Sequence, residues 1–129
     1  MIPLKRVHHI AIICSNYEKS KKFYTEILGF KIENETFREE RNSYKLDLSL
    51  NGNYIIELFS FPNPPERSSR PESCGLRHIA FEVDHIEEVT QLLHAQDIIC
   101  EPIRMDEFTH KKFTFFSDPD DLPIELYEL

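Results

Sequence analysis

The chain writes nearly the same apolar, histidine-bearing run twice: Val7-His8-His9-Ile10-Ala11-Ile12-Ile13, then Leu76-Arg77-His78-Ile79-Ala80-Phe81. Each copy is followed by a helical pattern and later by a glutamate lodged in another apolar run. These are Glu57 in Tyr54-Ile55-Ile56-Glu57-Leu58-Phe59 and Glu125 in Pro123-Ile124-Glu125-Leu126-Tyr127. His9 precedes Glu57 by 48 positions and His78 precedes Glu125 by 47. The chain therefore reads as a duplicated module, each half offering one imidazole and one carboxylate.

At 129 residues the two halves are parts of one domain with a real core rather than two independent domains. Module one runs over about 1–61. A connector at 62–75 holds four prolines and a Ser/Arg-rich stretch, and module two covers about 76–129. In module one, Val7 to Cys14 is apolar on both alternating faces, which predicts a strand covered on both sides, with His9, Ala11 and Ile13 on one face. Ser15-Asn16-Tyr17-Glu18 has capping-box spacing and predicts a helix to about Leu28, ended by Gly29. Strands are expected at Phe30–Phe37, Tyr44–Leu50 and Tyr54–Phe61, the last two joined by the Asn51-Gly52-Asn53 hairpin signal.

Module two repeats this order. A strand is expected at Arg77–Val83, then a helix from Asp84-His85-Ile86-Glu87 to about Ala95 with Ile86, Val89, Leu92 and Leu93 as its apolar stripe. Strands at Ile98–Met105, Lys112–Ser117 and Leu122–Tyr127 follow, with Asp118-Pro119-Asp120-Asp121 as a turn. The fold class is thus α+β, built from two tandem βαβββ modules.

A carboxylate inside an apolar strand is expensive to bury alone. A divalent metal would satisfy Glu57, Glu125, His9 and His78 together, and two imidazole nitrogens with two carboxylate oxygens suit zinc, nickel, manganese, cobalt or ferrous iron. An alanine two residues after each histidine would keep the space above the site open. The plainer reading makes each histidine a hydrogen-bonded core residue and pairs each glutamate with a lysine or with water. The matched recurrence of His-Ile-Ala and Ile-Glu-Leu favours the metal. The register selects His9 and puts His8 on the opposite face, while His85, His94 and His110 have no counterpart and are expected at the surface. Arg67, Arg70, Arg104, Lys111 and Lys112 are candidates for an anionic substrate or ordinary surface residues, and Arg38-Glu39-Glu40-Arg41 reads as a solvated loop.

A net charge of −8 argues against nucleic-acid or anionic-membrane surfaces. Three cysteines without a Cys-x-x-Cys pair leave no complete disulfide set and point to a reducing cytosol. No apolar run reaches a membrane span, and the start of the chain has no signal-peptide core. There is no Walker, dinucleotide or Gly-x-Ser-x-Gly motif. The partners expected are small molecules or proteins.

His-Ile-Ala-Ile at His9, Phe23-Tyr24, Leu28-Gly29-Phe30, Gly75-Leu76-Arg77-His78-Ile79-Ala80-Phe81, and Asp118-Pro119-Asp120 before Ile124-Glu125-Leu126 resemble the glyoxalase I family of the vicinal oxygen chelate superfamily. The resemblance covers essentially the whole chain. It implies an open, cup-shaped mixed sheet with helices outside and one divalent metal inside, zinc or nickel first among the candidates. His9, Glu57, His78 and Glu125 would be the ligands, often assembled in a homodimer. It further implies isomerisation of a methylglyoxal–thiol hemithioacetal through an enediolate, with Glu125 removing the proton beside the carbonyl and Glu57 returning one to the next carbon.

Glutathione-using members carry an arginine four residues after the first ligand and an asparagine four after the second. Those places hold Ile13 and Phe61 here, which argues against glutathione. An epimerase acting beside a thioester would resemble glutamine at position 57. A ring-cleaving dioxygenase would leave Glu57 superfluous, and a drug-binding module commonly lacks the ligands.

Overall fold

A computed structural model describes residues 1–129. The chain divides into two compact units, Met1–Pro65 and Glu66–Leu129. Unit one contains β1 (Ile10–Cys14), α1 (Tyr17–Lys22), a π-helical turn (Phe23–Ile27), β2 (Lys31–Arg38), a short 3-10 turn (Glu39–Arg41), β3 (Ser43–Leu50) and β4 (Asn53–Ser60). Unit two contains β5 (Ile79–Val83), α2 (Ile86–His94), β6 (Arg104–Met105), β7 (Lys112–Ser117) and β8 (Pro123–Glu128). Each unit forms its own four-stranded mixed sheet, ordered β1-β4-β3-β2 and β5-β8-β7-β6. In each, the first strand runs parallel to the last and the remaining pairs are antiparallel. The α+β class and the tandem βαβββ order follow the sequence pattern.

Alternation decides what each sheet buries. Along β3 and β4, Leu46, Leu48, Ile56 and Leu58 are fully buried, while Lys45, Asp47, Glu57 and Phe59 on the other face are only partly covered. In unit two Ile124 and Leu126 are buried with Ile86 and Leu93 of α2, which packs against β8. Burying a Leu or Ile side chain stabilises by about 1.5–3 kcal/mol, so these positions anchor the sheets. The β3–β4 hairpin turns on Asn51 and Gly52, both at positive φ (50° and 79°), as a type I′ turn requires.

Several local expectations change. β1 starts at Ile10 rather than Val7, and its faces differ: Ile12 and Cys14 are buried, whereas Ala11 and Ile13 are exposed. The cap of α1 is Asn16, whose side chain accepts the Lys19 N–H at 3.1 Å, in place of Ser15. The helix then widens into the π-turn. The Thr25 hydroxyl donates to the Lys21 carbonyl at 2.7 Å, and the Leu28 N–H reaches the Phe23 carbonyl five residues back. On α2, Leu92 is exposed and Thr90 takes a place in the buried stripe. The expected strand Ile98–Met105 shrinks to Arg104–Met105. Pro102 has no N–H to give a ladder; ahead of Arg104 the segment meets β7 through the Glu101 N–H, which donates to the Phe115 carbonyl, and the Glu101 carbonyl, which accepts the Thr114 hydroxyl.

The three cysteines are free, and no helix is long and apolar enough to cross a membrane. His85, His94 and His110 are all exposed.

An ionic clamp fastens the helix of unit one to its edge strand. The Lys21 ammonium lies 2.7 Å from a Glu35 oxygen that also accepts the Tyr17 hydroxyl. Lys21, and then Tyr17, hold the Glu35 carboxyl below its ordinary range. A carboxylate held low in the folded state contributes stability above its unfolded pKa and loses it as pH falls through the folded value. Glu35→Gln should therefore destabilise at pH 7, by less than about 1 kcal/mol because the pair is about a third exposed. Urea denaturation should show that difference vanish once the pH drops below the folded value.

Candidate functional site

The parallel pairing of first and last strands builds the same feature in both units. In unit one, Glu57 of β4 stands level with Ala11 on β1 and Asp47 on β3. In unit two, Glu125 of β8 stands level with Ala80 on β5 and Phe115 on β7. Each alanine leaves the neighbouring position low. Each histidine lies two residues before its alanine, just ahead of the strand, and turns its Nε2 toward the carboxylate. His9 Nε2 is 3.7 Å from a Glu57 oxygen, and His78 Nε2 is 3.0 Å from a Glu125 oxygen. The side chains of Glu57 and Glu125 are 15% and 14% exposed, open enough for exchange with a ligand yet largely desolvated.

Around Glu57 the chemistry is polar. The Lys45 ammonium lies 3.5 Å from Glu57 and 2.7 Å from Asp47. The Tyr54 hydroxyl donates to Asp47 at 2.9 Å, with Glu57 at 3.3 Å. Burial first, and the adjacent Asp47 and Glu57 after it, push the Tyr54 hydroxyl well above its ordinary range, so it remains a donor. Hydrogen bonding to Asp47 holds the Lys45 ammonium above its usual value. Two carboxylates facing one ammonium leave an excess negative charge beside the imidazole. The Tyr54 ring also stacks on His9, with centroids 5.3 Å apart and planes at 20°.

His8 is not on the opposite face, as strict alternation would have it. Its Nδ1 lies 2.8 Å from Nδ1 of His9, and its ring meets Tyr54 edge-on. The reason is that regular strand begins only at Ile10, so alternation does not govern residues 8 and 9.

Around Glu125 the corresponding strand positions are aromatic. Phe115 meets the His78 ring edge-on at 5.2 Å, and Phe113 packs perpendicular to Phe115. His78 Nδ1 is buried without a hydrogen-bond partner, so the ring's polar engagement is through Nε2 alone. Beside it opens a cavity of about 810 Å³ whose lining includes His78, Phe115, Cys100 and Arg67, Arg70, Arg77 and Arg104. Burial pushes the Cys100 thiol up, away from the thiolate.

The structure thus brings together His9 with Glu57, and His78 with Glu125. Neither unit by itself gathers three or more metal-competent His, Cys, Asp or Glu side chains. Of the cationic candidates, Arg67, Arg70 and Arg104 line the cavity. Lys112 instead pairs with Glu87 on α2 at 2.6 Å. Arg38 is not loop: it ends β2, with its guanidinium over Phe59 and Phe61. Sequence reasoning passed over Lys45, Asp47 and Tyr54. For the first two a signal existed, since Tyr44-Lys45-Leu46-Asp47-Leu48 alternates and sets both on the face of Glu57. Tyr54 carried none.

Donor chemistry suits a divalent ion. Two donors each about 2.1 Å from one ion are about 3.0 Å apart at a right angle and about 3.4 Å apart at the tetrahedral angle. The His78–Glu125 separation matches the first value, and His9–Glu57 is slightly wider than the second.

Residues 6–126 match the pattern of the Glyoxalase/Bleomycin resistance protein/Dioxygenase superfamily. An uncharacterized protein of Bacillus subtilis, YwkD, is 66% identical over 125 residues, spanning 97% of this chain and 98% of its own. An uncharacterized protein of Escherichia coli, YaeR, is 60% identical over 128 residues, 99% of each. A glyoxalase family protein from Enterococcus faecalis has a crystal structure that superposes with a TM-score of 0.90 at 52% identity, over 96% of this chain and 98% of that one. More distantly, the lactoylglutathione lyase of Schizosaccharomyces pombe is 27% identical over 94% of this chain and 46% of its own length. With its matched length and its paired βαβββ sheets, the chain belongs to the Glyoxalase/Bleomycin resistance protein/Dioxygenase superfamily.

Proposed function

We propose that this protein is a metal-dependent lyase or isomerase of glyoxalase I type. In this reading His9, Glu57, His78 and Glu125 are the ligands of one divalent ion, zinc or nickel, in a cytoplasmic homodimer or within one chain. The observation that carries it is the doubled pair. Each module sets an imidazole Nε2 and a carboxylate oxygen 3.0–3.7 Å apart, on the side of a low alanine. The distant likeness to a lactoylglutathione lyase supports the reaction class.

The bound ion would supply a Lewis acid for two neighbouring oxygens of the substrate. The chain's own residues divide the remaining work by how firmly they are held. Glu57 sits among Lys45, Tyr54 and His9, which suits a carboxylate that stays in place. Glu125 has His78 as its polar partner and the aromatic Phe115 level with it, which suits a carboxylate that moves to take the proton next to the substrate carbonyl. The return of a proton to the adjacent carbon is assigned to Glu57. The thiol is not expected to be glutathione. Ile13 is an exposed apolar side chain and Phe61 stacks on Phe59, where glutathione users present Arg and Asn.

Elemental analysis of the purified protein should find one divalent transition metal per four-residue set, lost in Glu57→Gln or His78→Ala. Stoichiometric metal surviving all four ligand substitutions would exclude the site. His8→Ala should weaken metal binding about 10–100-fold, because His8 orients the ligand ring of His9 through its Nδ1. Thioester formation from methylglyoxal with a panel of thiols should be detectable and should fall about 10²–10⁴-fold in Glu125→Gln. Absence of turnover with every thiol, together with tight binding of an antibiotic, would instead mark a non-catalytic binding module.

A further inference from the structure

The arginines around the module-two cavity are unevenly committed. Four guanidinium groups, of Arg67, Arg70, Arg77 and Arg104, line it with three carboxylates, of Glu72, Asp97 and Glu101, in a chain whose net charge is −8. Such a gathering of guanidinium groups on so acidic a protein asks for an explanation. The three exposed arginines have loose or local partners. Arg70 lies 3.5 Å from Asp121, Arg77 lies 3.7 Å from Glu72, and Arg104 lies 3.2 Å from Glu101 three residues away. Such pairs are worth little and yield readily to a better anion.

Arg67 differs from them. It is half-buried and its partners are all neutral: Nε donates to Ser69 Oγ at 2.8 Å, and Nη2 donates to the carbonyls of Leu76 and Arg77 at 2.5 and 3.0 Å. Ser69 is itself buried and donates to the Asp121 carbonyl at 2.6 Å, so the connector is tied to the β7–β8 turn. The guanidinium is thereby fixed in orientation, its full charge is unneutralised, and its two Nη1 donors are uncommitted. A planar fork locked in advance loses little entropy when an oxyanion arrives. Arg104, stacked over Phe113 at 5.0 Å, supplies a second guanidinium on the lining.

We propose that this cavity is an oxyanion subsite: it receives a phosphoryl or carboxyl group at the far end of the substrate, held by Arg67 and Arg104, while the chelating end lies at His78. The assignment rests on the reading of His78 and Glu125 as ligands and narrows it. The substrate is an anionic carbonyl or hydroxy acid derivative rather than a neutral one. Phe115, edge-on to His78, adds an aromatic wall to the same lining.

Isothermal titration with glycerate, malate and 3-phosphoglycerate tests this on metal-loaded and chelator-treated protein. All three offer vicinal oxygens, but only the last two add a distal anion. At least one of these two should bind about tenfold or more tighter than glycerate; preference for 3-phosphoglycerate assigns a phosphoryl group, and preference for malate a carboxyl group. Arg104→Ala should reduce that preference about tenfold. Arg67→Lys, which keeps the charge but not the fork, should also reduce it, with an unchanged circular dichroism spectrum showing that the fold persists. Equal affinities for the three acids, or a preference surviving both substitutions, overturns the proposal. The metal reading fails separately: glycerate affinity would then be the same with and without metal, while a persisting preference for the distal anion would still support the subsite.

Discussion

Parallel pairing of the first and last strand of each module is the constraint from which the rest of the site follows. Two parallel neighbours cannot be joined by a tight turn and need a crossover of a dozen residues or more, which here is a helix and two further strands between β1 and β4, and again between β5 and β8. That detour separates the histidine from its glutamate by nearly fifty residues. The register then reunites them, because Ala11 stands level with Glu57 and Ala80 with Glu125. A slip of one residue in either pairing would turn the glutamate into the core in place of Ile56 and Leu58, or of Ile124 and Leu126, where its charge could not be tolerated.

The two modules share this backbone plan and differ in what surrounds it. In the first, Lys45, Asp47 and Tyr54 form a hydrogen-bonded set on the sheet face that carries Glu57. In the second, Phe113 and Phe115 occupy the matching strand positions, and cationic side chains come from the connector and from Arg104. The local dielectric and the supply of donors therefore differ at two chemically identical pairs. Symmetry of fold has been kept while symmetry of environment has been lost, and the assignment of unequal roles to Glu57 and Glu125 rests on that difference.

Much of this was legible in the sequence because the repeat carries it. Recurrence of His-Ile-Ala and Ile-Glu-Leu indicates the module, its order and the four polar intruders, and β7 falls at Lys112–Ser117 as its alternation predicts. What could not be read depends on side chains meeting across sequence. Asn16 rather than Ser15 caps α1 because the chain enters the helix one residue later. Leu92 sits on the helix face turned away from β8, a rotation that periodicity alone does not set. Tyr54 reaches Asp47 only because the Asn51-Gly52 turn folds β4 back on β3. His8 escapes alternation because regular strand starts after it.

The tether from Ser69 to the Asp121 carbonyl has a consequence for how such a protein diverges after its gene doubles. A copied βαβββ unit brings its own histidine and glutamate, but the linker between copies exists once and cannot be symmetric. That linker is folded onto the second copy, where Arg67 and its neighbours line the cavity. Sequence drift in a single short segment can therefore change the lining of that cavity without disturbing either histidine–glutamate pair.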